Sequence, residues 1–490
     1  MSSTKRNVIY QTAYQILALI LPFITAPYVS RVLGSENVGI YSYKNVGIYS
    51  YTYTNVNYFM LAALLGIETY GTRTVSKVRN DKKLTNEAFS SIFYCHLIVS
   101  AVCLVVYLIY SCFISKPIYR VFALIQTLYI IAEIFNINWF FFGMEQFKIT
   151  VTRNMVVKLL TIASIFLFVK DKDDLVVYIT IMALGTFISQ SFVWIFLRKY
   201  ARFVRVPLKE VLKHFKPMCV LFVSVIATSL YRMISKTMLG MTDALSDLGC
   251  FEYADKIIRM PLSIITAVGM VMLSKTSNMY NNDSKKNVHS LIQKSMEAVM
   301  IFASAIAFGL AAVSDNFSVL FYGKEYEFTG TLILSMSASL LFMSWNNVIR
   351  TQYLMPQCKD KEYVKAVWAG AIVNVALNLV LIHFIGALGA ALTTNVSYFV
   401  VSLVQTYYAK KELPVSVYLK GALIPFLTGA VMFVIIRAIG HYMTCSWVTL
   451  CIQIACGALF YCAVMVIYLK RINSPVLKMV MGRFYRGKKI

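Results

Sequence analysis

Residues 218–240 read MCVLFVSVIATSLYRMISKTMLG, the next ten read MTDALSDLGC, and 251–261 read FEYADKIIRMP. The first run is long enough to cross a bilayer, for which about 20 apolar residues suffice. It nevertheless carries Arg232 and Lys236 in its second half, and the following apolar run opens with Lys256 and Arg259. Each such charge costs about 2.5–3.5 kcal/mol at bilayer depth on insertion scales, so all four are expected to face protein or a water-filled cavity. Intramembrane cations of this kind point to an anionic ligand.

Around this stretch the composition sets the class. Of 490 residues 59% are hydrophobic and only 14% charged, with a mean hydropathy of +0.66, values that belong to a polytopic membrane protein. The net charge of +25 and pI near 9.5 would suggest nucleic acid in a soluble chain. Here the positive charge follows the loops instead. Fourteen spans are predicted, at about 10–33, 46–67, 89–112, 118–141, 155–170, 175–197, 217–240, 250–273, 297–319, 331–354, 366–385, 387–408, 421–441 and 446–468. Alternate loops then hold thirty-five Lys and Arg on one side and five on the other, which puts both termini in the cytoplasm. The basic start Met1–Asn7 precedes a span-length apolar run without a small-x-small cleavage site, so no cleavable leader is expected.

The densely charged segment Arg198–Lys216 divides the chain into six spans and eight. Ser30-Arg31-Val-Leu33-Gly34 at the end of the first span echoes Ser235-Lys236-Thr-Met-Leu239-Gly240 at the end of the seventh. Such a parallel repeat makes Arg31 and Lys236 equivalent cations, one from each half. A tandem octapeptide is plainer still: Asn37–Lys44 is followed at once by its near copy Asn45–Thr52. Eight helical residues add about 12 Å, so only one copy fits a packed span. The first is expected to extend the outer loop, with Lys44 near the interface, and the second to start the helix. Pro22 and Pro27 are expected to break the first span and Pro261 the eighth.

Spacing separates the cations. Glu252 and Lys256, like Asp255 and Arg259, stand at i,i+4 with the acid first, an order that pairs well on a helix. Arg232 and Lys236 are like charges at i,i+4 with no acid three or four residues away. That arrangement calls for an outside anion, and Arg31 similarly lacks a helical acid. The competing reading pairs Arg31, Arg232 and Lys236 with Glu133 or Glu36. Glu133, beside Asn136-Ile-Asn138-Trp139, is expected either to pair a cavity cation or to take up a proton. Arg437, near the outer end of a late span, is expected to snorkel.

Enzyme chemistry finds no residues to carry it. Gly66-Ile-Glu-Thr-Tyr-Gly71-Thr72-Arg73 lacks the Lys of a phosphate loop and sits at a span end. The five histidines are scattered, no catalytic or metal constellation appears, and the ten cysteines form no C-x-x-C pair. No cofactor is implied.

Gln15-Ile-Leu, Leu21-Pro22-Phe-Ile-Thr-Ala-Pro27-Tyr-Val-Ser-Arg31-Val-Leu-Gly34, Val46-Gly-Ile-Tyr-Ser-Tyr-Thr52, Tyr70-Gly-Thr-Arg73 and Asn136-Ile-Asn-Trp139-Phe-Phe-Phe-Gly143-Met-Glu145 form a recognisable series. Lys236-Thr-Met-Leu-Gly240, Gln352-Tyr-Leu-Met-Pro356, and Asn374 and Asn378 with Gly386-Ala-Leu-Gly389-Ala continue it. Together they resemble the polysaccharide-biosynthesis (Wzx-type) flippases of the multidrug/oligosaccharidyl-lipid/polysaccharide exporter superfamily. The resemblance implies an all-α protein of two pseudo-symmetric six-helix bundles in a V, 1–205 and 206–409, with 410–490 adding two helices and a basic tail. It implies a plasma-membrane flippase moving undecaprenyl-pyrophosphate-linked repeat units outward for capsule, exopolysaccharide or O-antigen. The expected ligand cations are Arg31, Arg232, Lys236, Lys256 and Arg259, and a polysaccharide polymerase and a chain-length regulator are the expected partners. Relatives usually have Asp where Ser235 stands, which leaves Lys236 freer for an anion. A cation-coupled drug antiporter would want an acid-lined cavity, a glycosyltransferase or polymerase a large carboxylate-bearing loop, and a lipid II flippase differs only in cargo.

Overall fold

The computed structural model describes residues 21, 23–33, 42–242, 244–282 and 285–472, which are helices joined by short turns. The helices are α1 (23–33), α2 (Ser42–Leu64), α3 (Ile67–Val78), α4 (Lys82–Ile109), α5 (Pro117–Ile134), α6 (Asn138–Gly143) and α7 (Phe147–Phe168). Then come α8 (Leu175–Phe192), α9 (Trp194–Tyr200), α10 (Leu208–Leu212), α11 (Phe215–Met241), α12 (Leu245–Asn282) and α13 (Lys285–Tyr322). The series closes with α14 (Glu327–Ile349), α15 (Asp360–Ala409), α16 (Val415–Tyr442) and α17 (Trp447–Arg471). Every predicted span meets a helix. Among the described residues nine segments are long and apolar enough to cross a membrane, and the molecule is a multi-pass membrane protein.

The chain divides into two compact units, Met1–Gly249 and Cys250–Ile490. In the first, α2 packs on α4, α5 and α11, and α5 on α8. Its end near α3 and α6 is closed by an aromatic cluster in which Trp139, Phe140 and Phe141 are wholly buried with Phe89. In the second, α13 lies between α14 and α16, α15 packs on α14, and α17 on α16. Rows of exposed apolar residues such as Val102, Val105, Ile109 on α4 and Leu427, Val431, Val434 on α16 suit a hydrocarbon environment.

Two predicted spans, 366–385 and 387–408, are the halves of α15. The helix bends where Ile385 and Gly386 leave helical dihedrals, and Gly386 has φ 55°, ψ −133°. Only glycine adopts such a conformation at little cost, so the break sits where the sequence places it.

Several expectations change. Pro261 does not interrupt α12, which runs unbroken from Leu245 to Asn282, and 23–33 is helical through Pro27; a helix held by neighbours tolerates one lost hydrogen bond. Pro22 and Glu36 lie outside the described residues. The fifth span begins at Phe147, so Arg153 and Lys158 belong to the helix and not to a loop. Helix α2 starts at Ser42, taking in the last three residues of the first octapeptide copy, Lys44 included, while 37–41 lie outside the described residues. Among the described residues the cysteines form no disulfide.

Arg437 does not simply snorkel. Its guanidinium pairs with the Asp315 carboxylate on α13 and donates to the Ala311 carbonyl and Ser314 Oγ, each at 3.3 Å. The two side chains are 29% and 57% exposed, which limits the pair to about 1 kcal/mol. Arg437→Ala and Asp315→Asn are each expected to lower the melting temperature in detergent by a few degrees, and the double variant by no more than either. Additive losses would mean that the pair does not join α16 to α13.

Candidate functional site

The cations expected to meet an anion are distributed over α1, α11 and α12. Arg31 is exposed in the last turn of α1. Lys236, on α11, is half-buried between buried Ser235 and Thr237. The Thr237 hydroxyl lies 3.1 Å from the Tyr58 hydroxyl, tying α2 to α11 one residue beyond the lysine. Gly240 completes this contact: a Cβ there would come within 2.0 Å of the Tyr51 ring. Arg232 is one turn before Lys236 on the same helix, and its side chain lies outside what the structure describes.

On α12 both acid-first pairs form as their spacing predicts. Lys256 Nζ is 3.2 Å from Glu252 Oε1 and Arg259 Nε is 2.6 Å from Asp255 Oδ1. Arg259 also donates to the Tyr398 hydroxyl on α15 at 3.2 Å. The members differ in access. The Asp255 and Arg259 side chains are 5% and 22% exposed, whereas Lys256 keeps 44% and lies over the Tyr253 ring. Arg259 is thereby a structural tie, and Lys256 the α12 cation with surface to offer a ligand.

Glu133 ends α5 in a chain of amides. Its Oε2 accepts from Asn136 Nδ2 at 2.8 Å, and its carbonyl accepts from His96 Nε2 at 2.8 Å. Among the described residues, the partner of the carboxylate is an amide and not a cation, so the expected pairing with Arg31 or Lys236 does not appear. Asn136 Oδ1 accepts from the Asn138 backbone, Asn138 Oδ1 from Arg153, and Arg153 also reaches Asn154 at 2.6 Å. Arg153 is 4% exposed. It was missed because the sequence placed it in a loop; the signal available was the amide spacing Asn136, Asn138 and Asn154, which a buried guanidinium needs. Among the described residues no group of three His, Cys, Asp or Glu could hold a metal ion.

Comparison with known proteins supplies the family. A putatively assigned O-antigen transporter of Shigella dysenteriae is 23% identical over 401 residues, covering 79% of this chain and 96% of that protein. Its counterpart from Escherichia coli K12 is 23% identical over 398 residues, 80% of this chain and 93% of that protein. Among solved structures, the lipid II flippase MurJ in its inward closed conformation superposes with a TM-score of 0.74 at 17% identity, over 96% of this chain and 99% of that one. An inward-facing multidrug MATE transporter gives 0.59 at 12% identity, over 83% and 98%. The fold is that of this transporter superfamily. The model of the family described as polysaccharide biosynthesis protein matches residues 4–277, more than half of the chain, and the chain belongs to that family.

Proposed function

We propose that this protein is a flippase that moves polyprenyl-pyrophosphate-linked oligosaccharide units across a bacterial plasma membrane by alternating access. The pyrophosphate cannot enter hydrocarbon unaided, whereas the prenyl tail can remain in lipid. Arg31, Arg232 and Lys236, all of the first unit, supply the positive charge that meets the head group; Lys256, in the second unit, is a separate exposed cation on the helix that Arg259 ties to α15. The observation that carries this reading is the cationic character of α11 and α12, where Lys256 stays 44% exposed although paired. A drug antiporter accepting organic cations is poorly served by such residues. The likeness of about four fifths of the chain, 79% and 80%, to O-antigen transporters supports the cargo class. Expression in a strain lacking its O-antigen flippase is expected to restore surface polysaccharide. Rescue of a lipid II flippase depletion without restoration of O-antigen would reassign the cargo to lipid II.

Glu133 is proposed as the residue that takes up the coupling ion, because its carboxylate rests on an amide. Glu133→Gln preserves the shape and an acceptor for Asn136. The variant is expected to fold normally and to lose the dependence of transport on the proton gradient. Wild-type response to an uncoupler would remove Glu133 from coupling.

Both termini are proposed to be cytoplasmic, from the division of loop basic residues, which is still thirty-three to five once Arg153 and Lys158 are assigned to α7. In a cysteine-free background, single cysteines at Asp173 and Lys285 test this in intact cells. An impermeant maleimide is expected to label the first only. Labelling of the second ends the fourteen-span topology.

A further inference from the structure

The connection from α9 to α11 carries three separate stripes. Val211, His214 and Met218 are buried at 3%, 4% and 0% exposure. Leu208, Leu212 and Phe215 are 63%, 52% and 46% exposed. Lys209, Lys213 and Lys216 are also exposed. Lys213 and His214, between α10 and α11, keep right-handed helical dihedrals, so helical spacing holds through the junction. At about 100° per residue the apolar stripe lies between the buried stripe and the basic one.

The buried side is fastened by neutral polar contacts. The Arg202 backbone N–H donates to Asn86 Oδ1 at 2.9 Å and that of Val204 to Ser90 Oγ at 3.0 Å. The His214 ring lies between Ser91 Oγ at 2.9 Å and the Tyr70 hydroxyl at 2.7 Å. Burial lowers the His214 pKa from its ordinary value, and Lys213 acts in the same direction. The docked ring is therefore neutral near pH 7, and the positive charge stands on the outward side. Asn86, Ser90 and Ser91 come from the start of α4, which fixes the orientation of the connection at the end of unit 1. Among residues 198–216 there are seven Lys and Arg against one acid, Glu210, which pairs with Lys213.

We propose that residues 202–216 lie in the headgroup layer and bind anionic phospholipid. Leu208, Leu212 and Phe215 enter the boundary with the acyl chains, and the three lysines, with Arg202 and Arg205, meet lipid phosphates. An exposed apolar stripe beside a basic one is the arrangement of an interfacial amphipathic segment. Charge complementarity favours lipid as the occupant, and so does position: the segment leaves one span and enters another, which holds it at the membrane surface. The inference is independent of what the protein transports.

The test uses the full chain in phosphatidylcholine vesicles containing a trace of phosphatidylglycerol or phosphatidylcholine with a photoreactive headgroup. Crosslinked peptides are mapped by mass spectrometry. Phosphatidylglycerol is expected to label 202–216 several-fold more than phosphatidylcholine, and the excess to fall in high salt. Each basic residue near an anionic surface contributes about fivefold. Lys209→Gln, Lys213→Gln and Lys216→Gln together are expected to abolish the preference while labelling of α17 stays unchanged. Leu208→Ser with Leu212→Ser is expected to reduce labelling by both probes, as the segment lifts from the acyl boundary. Equal labelling by the two lipids in the wild type overturns the proposal. So does absence of labelling in 202–216 when α17 is labelled, the result expected if a soluble acidic protein, not lipid, covers this surface.

Discussion

Arg232→Ala is expected to cut surface-polysaccharide export to below about a tenth of wild type, with protein level in the membrane unchanged. A charge-assisted hydrogen bond contributes about 1.5–3 kcal/mol, which is roughly 10- to 150-fold in an equilibrium constant. A guanidinium presents two parallel donors to a phosphate, whereas an ammonium is a compact point charge. Arg232→Lys should therefore keep part of the activity and Lys236→Ala should lose most of it. Arg232 and Lys236 are one helical turn apart, so each like charge raises the other's need for an anion. Polysaccharide in a strain lacking its native flippase is the readout. If both alanine variants export at wild-type rates, these cations have a structural role and the anion argument fails.

The second large effect is expected at Gly47. It belongs to the second octapeptide copy, where 46–50 are all buried. A Cβ on Gly47 would lie 1.8 Å from the Leu245 carbonyl oxygen, backbone that no rotamer change can move. Two helices must separate to admit it. Overpacking of this kind costs about 1–3 kcal/mol when neighbours can shift, and more when the obstacle is main chain. Gly47→Val is expected to abolish membrane accumulation, and Gly47→Ala to reduce it severely. Deletion of Asn37–Lys44 is the opposite case. Asn45, first residue of the second copy, already donates to the Leu33 and Lys172 carbonyls at 3.3 and 2.9 Å. The deleted chain should insert and export normally, and loss of activity with normal expression would show that the first copy is required.

Much of this was written in local spacing. Apolar runs of bilayer length marked the spans, because hydrocarbon admits backbone only as helices or closed barrels. Gly386 marked the break in α15, and the i,i+4 order of Glu252–Lys256 and Asp255–Arg259 marked the pairs on α12, since one helical turn brings those side chains together whatever surrounds them. Tertiary structure alone decided the rest. Arg437 finds Asp315 across 122 residues, and Arg153 is buried among asparagines from neighbouring segments. Glu133 meets an amide, and the leucines and lysines of 208–216 become separate stripes only once His214 docks on α4. Periodicity tells a side chain which face of its own helix it occupies. Which partner that face meets depends on the packing of helices distant in sequence, and no local pattern specifies it.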